Sequence, residues 1–318
     1  MNTESGPSVP HQPVLYHEII LALRPNETGR YIDATVGAGG HAWGILNESS
    51  PSGQLLGLDL DPQALELAKK RLQEFSDRAT LVQASYTTLQ EQARKIGWDR
   101  VEGIVIDLGV SSMQIDTPER GFSFQTEGPL DMRFGPSQTR TAADLINSWS
   151  ERDLADVIWR YGEDRLSRRI AQAIVRARPL HTTTQLAEVI ASAVGRSKAP
   201  GKSRIHPATR TFQALRIAVN EELGAIEEVL PQAVDLLAPG GRLAVIAFHS
   251  LEDRIVKQYF RRESRDCICP PEQPVCTCGH KASLVEINRK PVEAGDEESR
   301  TNPRARSARL RVAERLSP

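Results

Sequence analysis

The run Asp33-Ala34-Thr35-Val36-Gly37-Ala38-Gly39 sets a carboxylate four residues ahead of a glycine pair, and Gly40, His41 and Ala42 follow at once. Glycines in such a run let the backbone turn tightly, approach a ligand closely and open the N-terminus of a following helix to it. Residues 37–42 also fit the loose dinucleotide pattern G-x-G-x-x-G/A, a weak signal, because a plain tight turn has the same composition. Asp59 lies about twenty residues further on, where a carboxylate accepts hydrogen bonds from both hydroxyls of a ribose. Nicotinamide cofactors and S-adenosylmethionine both carry that ribose, so Asp59 does not separate them. Asp33 does. A carboxylate beside the loop repels a pyrophosphate but attracts the ammonium and sulfonium of a methionine group, so the spacing favours S-adenosylmethionine. The competing reading at this position is a solvated or locally capping aspartate. A third acid, Asp107, ends the apolar run 103–106 and falls nearest the place of a transferable methyl.

These residues need a frame that brings strand ends together. Residues 31–35, 55–59, 80–84 and 103–107 read as buried strands, the last one apolar throughout, as a parallel strand covered on both faces should be. Asp61-Pro62 supplies a cap and a first-turn proline for a helix with Ala64, Leu65, Ala68, Leu72 and Phe75 on one face. Strands alternating with helices predict an α/β fold with a doubly wound, mainly parallel sheet. The rhythm stops after Gln114. Residues 115–140 are irregular, residues 141–194 have helical periodicity, and a fifth buried strand follows Gly240-Gly241 at 242–248. The pattern implies a core of residues 1–114 and 216–318, interrupted by an inserted, mainly helical domain at 115–215.

The 318 residues carry 40 Lys and Arg against 41 Asp and Glu, a net charge of −1, so the whole-chain balance names no partner. Its distribution does. Between Arg160 and Arg216 twelve Lys and Arg face three acids, a local charge of +9. A field of this kind suits phosphate binding, with Arg168, Arg169 and Arg204 as candidate contacts and residues 196–204 as a basic loop able to follow an RNA backbone. No apolar run approaches the roughly 18 residues that a membrane span needs. Residues 1–12 read as a loose polar tail rather than a signal peptide, which predicts a cytoplasmic protein with reduced thiols. Cys267, Cys269, Cys276 and Cys278, with His280 just beyond, then read as a structural zinc site, as spectator thiols or as a redox pair. Nothing in the sequence fixes an oligomeric state.

Beyond these signals the chain resembles the MraW/RsmH ribosomal RNA methyltransferases. The resemblance is carried by residues 33–41 with Asp59, by Asp107-Leu108-Gly109-Val110-Ser111-Ser112 with Gln114, and by Glu119-Arg120-Gly121-Phe122-Ser123-Phe124. It continues through residues 128–133, 206–214, 248–254 and 302–307, in order along nearly the whole chain. It implies a class I methyltransferase core with an inserted helical domain. The implied reaction is N4-methylation of one cytidine in the decoding region of small-subunit (16S) ribosomal RNA. Carried over by position, the implied cofactor contacts are Gly39, Gly40, His41, Asp59, Tyr86, Asp107 and Gln114. Many relatives have Phe at the place of Tyr86, and either ring can stack on adenine.

An exocyclic cytosine amine is a poor nucleophile, because its lone pair is delocalised into the ring. Its methylation calls for hydrogen-bond acceptors and a route for the proton. Asp107, Ser111 and Ser112 are the candidates for that amine-facing wall, with His249 as the alternative. The base must also be unstacked. Phe122 and Phe124 are candidates to stack on it, or else pack the insertion onto the core.

Overall fold

Short apolar segments bounded by Gly, Asp and Asn give the strands, as β-branched and leucine-rich runs buried on both faces should. In a computed structural model, which describes residues 13–136, 138–195 and 206–317, these are β1 (Arg30–Asp33), β2 (Gln54–Asp59), β3 (Ala79–Gln83) and β4 (Val101–Asp107). They are followed by β5 (Leu237–Ala247), β6 (Leu284–Glu286) and β7 (Arg309–Arg315). The sheet order is β3-β2-β1-β4-β5-β7-β6; β1 to β5 run parallel, and β7 is antiparallel to both β5 and β6. This is a Rossmann-like α/β sheet of the class I methyltransferase kind. Its strand order reverses between β1 and β4, the switch point at whose carboxyl ends ligands bind in such sheets. The polar segment 1–12 and the basic loop that holds Arg204 lie outside the described residues, as does the side chain of Ser112.

The chain divides into two compact units, Met1–Leu108 with Ile226–Pro318, and Gly109–Ala225. The first contains the whole sheet. Its early helices are α1 (Tyr16–Leu23), α2 (Gly40–Glu48), α3 (Pro62–Arg71) and α4 (Leu89–Lys95). Asp61 caps α3 as its residue type predicts, accepting from Gln63 N at 3.0 Å, and Ala64, Ala68, Leu72 and Phe75 are buried along the expected face. Tyr31 is fully buried, and its hydroxyl accepts from Asn26 N at 2.8 Å.

The second unit is helical: α5 (Ser112–Asp116), α6 (Ala142–Ser148), α7 (Glu151–Gly162), α8 (Ser167–Ala177), α9 (Thr183–Val194) and α10 (Thr209–Asn220). Serine or threonine caps start α5, α6, α7 and α9, and their apolar stripes form one core around Leu145, Ile158, Ile170, Ile174, Leu186 and Leu215. The insertion expected at 115–215 lies within this unit. Glu221, at φ +52°, ends α10 and separates it from α11 (Glu222–Leu236). The chain then closes through α12 (Ser250–Glu263) and α13 (Asp296–Thr301).

One local expectation shifts. Thr35 leaves the first strand and serves as a clamp, its Oγ1 accepting from Asp107 N at 2.7 Å. Arg311 of β7 is buried, and its guanidinium makes a bidentate pair with Asp253 of α12 at 2.6 and 3.1 Å. β6 went unread because a three-residue edge strand has no periodicity to detect.

Removing one partner of a buried ion pair strands the other charge. Asp253→Ala is therefore expected to lower unfolding free energy by about 3–5 kcal/mol, read from the urea midpoint at constant slope. A midpoint within experimental error of the parent would show that the pair does not hold β7 against α12.

Candidate functional site

Four residues picked from the sequence meet at the carboxyl ends of β1, β2 and β4. Asp33 ends β1 and is buried; its Oδ1 accepts from Thr35 N at 3.3 Å, while Oδ2 has no hydrogen-bond partner. Burial pushes its carboxyl up to about 7, helped by the negative Asp59 nearby and opposed by the backbone amides of Thr35 and Ala42. Asp59 ends β2, half-buried, with Oδ2 accepting from Gly37 N and Oδ1 from Asp61 N, both at 2.9 Å. Burial raises its carboxyl too, against those amides. Two lone-pair directions remain on such a carboxylate for ribose hydroxyls.

Asp107 ends β4 and sits well above the usual carboxylate range, because of burial first and then the charges of Asp33 and Glu252. Its Oδ1 is buried without a partner, and its Oδ2 lies 3.9 Å from His41 Nε2. His41 is itself buried, and neither ring nitrogen has a hydrogen-bond partner. Burial, assisted by the positive Arg71, drives its imidazole down to about 4, so it stands neutral at physiological pH. The outcome is a pocket wall of three desolvated acids and one neutral ring, with buried polar atoms left for a ligand to satisfy.

The glycines shape this wall. Gly37 and Gly39 adopt φ +52° and +78°, left-handed conformations that L side chains rarely take. A Cβ on Gly39 would come within 3.2 Å of Ala68 Cα, and one on Gly40 within 2.8 Å of the Pro13 ring. Close packing against the protein's own atoms thus demands glycine here, in addition to any approach to a ligand. Tyr86 opens a short 3-10 turn after β3 that Ser85 caps, and it is half-buried.

His249 caps α12: its Nδ1 accepts from Glu252 N at 3.4 Å, and Glu252 Oε2 accepts from Phe248 N at 2.8 Å. The residue that sequence reasoning missed is Glu252, almost fully buried and close enough to Asp107 to raise it. Its only signal was the spacing from His249, the third position of a capping box, which points to a helix start and not to a site.

In the helical unit, Ser111 and Gln114 form a capping box for α5: Ser111 Oγ accepts from Gln114 N at 3.2 Å and Gln114 Oε1 from Ser111 N at 3.0 Å. Phe122 stacks on Phe134 with ring centroids 5.7 Å apart, and Phe124 packs edge-on to Phe212 at 4.8 Å and near His206 at 4.7 Å. Arg168 and Arg169 stand exposed on α8.

A Rossmann-like sheet whose switch point carries desolvated acids suits an enzyme with a cationic nucleoside donor, which is the methyltransferase class. Residues 8–316 match the MraW methylase family, and the chain belongs to it. The relatives agree. It is 54% identical over 307 residues to Ribosomal RNA small subunit methyltransferase H of Dehalococcoides mccartyi, covering 96% of this chain and 87% of that protein. To the proteins of the same name from Heliobacterium mobile and Thermomicrobium roseum it is 50% and 51% identical, covering 96% and 98% of this chain and 99% and 95% of theirs. S-adenosylmethionine is the cofactor. The orphaned oxygens of Asp33 and Asp107 fit its positive charge, and the free acceptor capacity of Asp59 fits its ribose.

Two outcomes follow. Asp59→Ala is expected to weaken S-adenosylmethionine binding by about 1–3 kcal/mol in calorimetry, the range for losing charge-assisted hydrogen bonds; unchanged affinity removes Asp59 from the ribose contact. A bound cation favours ionised Asp33, so binding releases protons, and affinity should rise as pH climbs towards about 7 and level off above it. Between about pH 8 and pH 6 the affinity should fall roughly tenfold, a slope that Asp33→Asn abolishes. A flat profile in the parent protein would show that Asp33 does not change its ionisation on binding.

Proposed function

We propose that the protein transfers a methyl group to the exocyclic N4 of one cytidine in the decoding region of 16S ribosomal RNA, in free RNA or in the small subunit, and does so in the cytoplasm. The observation that carries the reading is the set of desolvated acids at the switch point, which favours a sulfonium donor over a pyrophosphate one. The relatives' names supply the substrate class, small-subunit ribosomal RNA. The resemblance of residues 107–114 and 248–254 to the family motifs supports the cytidine N4 assignment.

When bound, S-adenosylmethionine supplies an electrophilic methyl on a positively charged sulfur. The chain's own groups do the rest. Asp59 orients the ribose, Asp33 attracts the charged methionine end, and neutral His41 adds no repulsion. Asp107, once ionised, accepts a hydrogen bond from the amine and favours its pyramidal, nucleophilic form. Ser111 Oγ accepts one hydrogen bond from Gln114 N in the cap and keeps a second lone pair and its hydroxyl proton. Catalysis here is largely positioning, with the amine held about 3 Å from the methyl in line with the departing sulfur.

The segment 160–216, net +9, is the reading's RNA-binding element, and we assign the helical unit to substrate recognition. Phe122 and Phe124 pack against the core of the helical unit, with Phe134 and Arg120 on the first and with Phe212 and His206 on the second, yet both stay half-exposed.

Radiolabelled methyl should enter small subunits from cells lacking this protein, and nucleoside mass mapping should find the label on N4-methylcytidine. Label on another nucleoside refutes the cytidine assignment, and binding of a nicotinamide dinucleotide with no affinity for S-adenosylmethionine refutes the class. Charge reversal at Arg168 and Arg169 should weaken RNA binding and lower the log-log salt slope by about two, with cofactor affinity unchanged. Equal RNA affinity at low salt would take this face of α8 out of the interface.

A further inference from the structure

Between the end of α12 and β6 the chain runs through residues 264–283 without a helix or strand, and none of these residues is buried. A connection this long with no secondary structure of its own is uncommon in a compact domain, and no core holds it. Its anchors at the two ends are clear. Ser283 N donates to Glu263 O at 2.8 Å, Leu316 N to Ser283 O at 3.0 Å, and His280 Nδ1 lies 2.9 Å from Arg265 O. Between those anchors the convergence is of sulfur.

Cys267 and Cys269 come from one arm of the segment, Cys276 and Cys278 from the other. Their four Sγ atoms lie within 4.8 Å of one another. Cys276 and Cys278 sulfurs are 3.6 Å apart, and those of Cys278 and Cys267 are 3.9 Å apart. Four thiolates on a tetrahedral zinc at about 2.3 Å would stand about 3.8 Å from each other. The separations are far too long for a disulfide, whose sulfurs sit about 2 Å apart. They are also short for four spectator thiols on a solvent-facing loop, where nothing else draws the side chains inward.

The backbone around the cluster points the same way. Ile268 N–H is directed at Cys278 Sγ at 3.5 Å, and the amides of Cys269, Thr277 and His280 also face sulfurs of the set. Amide donors around sulfur are the outer shell that stabilises thiolate ligands. His280 is not a ligand: its Nε2 lies 3.4 Å from Glu263, and its Nδ1 faces the Arg265 carbonyl.

We propose that Cys267, Cys269, Cys276 and Cys278 bind one structural zinc ion in a closed four-sulfur site that pins the connection between α12 and β6. Zinc suits the site because four soft sulfur ligands in tetrahedral array, with no position left for water, match its coordination preferences. Binding displaces the thiol protons to solvent, so four thiolates and one divalent cation give a complex of charge −2 with no change of oxidation state. The site lies outside the cofactor crevice, and its role is to order the strap.

The test is metal analysis of the full-length protein, purified under reducing conditions without chelator from cells grown with zinc. About one zinc per chain is expected, and Cys276→Ser with Cys278→Ser should lose it while keeping the parent's affinity for S-adenosylmethionine. Retained affinity shows that the variant is folded, and it makes the result independent of the methyl-transfer reading. Metal-free protein should take up one cobalt(II) with the intense sulfur-to-metal charge-transfer bands of a tetrathiolate. Absence of zinc in the parent together with no cobalt uptake overturns the proposal. So does mass spectrometric detection of disulfides among the four cysteines in anaerobically purified protein, or full retention of zinc by the double variant.

Discussion

Three carboxylates end neighbouring parallel strands and are taken out of water together. Burial disfavours the charged form of each, and the neighbouring negative charges add to it at Asp33 and Asp107, so all three carboxyls are raised. The free protein eases that cost by letting protons bind. A cation eases it by supplying the missing charge, so the site's affinity for a positive donor and its reluctance to hold three negative charges are one property. Everything else in the core serves to keep these strand ends from drifting apart.

The register shows how. Asp33 pairs with Val105 across β1 and β4, which sets Asp107 two residues beyond the last rung. Thr35 then accepts the Asp107 amide, and Leu108 N donates to Ile246 O, so the end of β4 is clamped from both neighbouring strands. Asp59 is fixed by the turn it helps to make, since the amides of Gly37 and Asp61 converge on its two oxygens. The bond from Gly37 holds the glycine loop against the end of β2, so the loop's path depends on the Asp59 carboxylate. Positive φ at Gly37 and Gly39 makes the tight path possible, and the N-terminus of α2 adds a favourable field for the acid that ends β1.

Much of this was legible in the sequence, for an identifiable reason. Strands of a parallel sheet are buried on both faces, so they appear as unbroken apolar runs, and the acids that end them stand out against that background. Ligand sites at strand ends follow from topology alone. What stayed hidden was pairing between distant segments. Nothing local marks Arg311, and only the antiparallel return of β7 alongside β5 brings it to Asp253. Glu252 reads as the third residue of a helix cap, and its effect on Asp107 depends on a proximity that no local pattern encodes. Gln114 and Ser111 show the converse: residues selected through the family likeness also carry a plain structural duty, reciprocal capping of α5.

The electrostatics of the two units differ in a way that bears on how an enzyme of near-neutral net charge can work on a polyanion. In the core, three acids at the strand ends are desolvated and their carboxyls are raised, so this cluster holds less negative charge than its count suggests. In the helical unit most of the described basic residues, Arg160, Arg165, Arg168, Arg169, Arg176 and Arg210 among them, are exposed, while Arg216 is paired with Glu222. Formal charge thus misstates what an approaching RNA meets. Ionic strength screens exposed charge within about 10 Å at 0.1 M salt but scarcely touches buried groups. Salt should therefore act on RNA binding while pH acts on cofactor binding. Two separable controls on one enzyme follow from placing raised carboxyls at desolvated strand ends and exposed arginines on the helical unit.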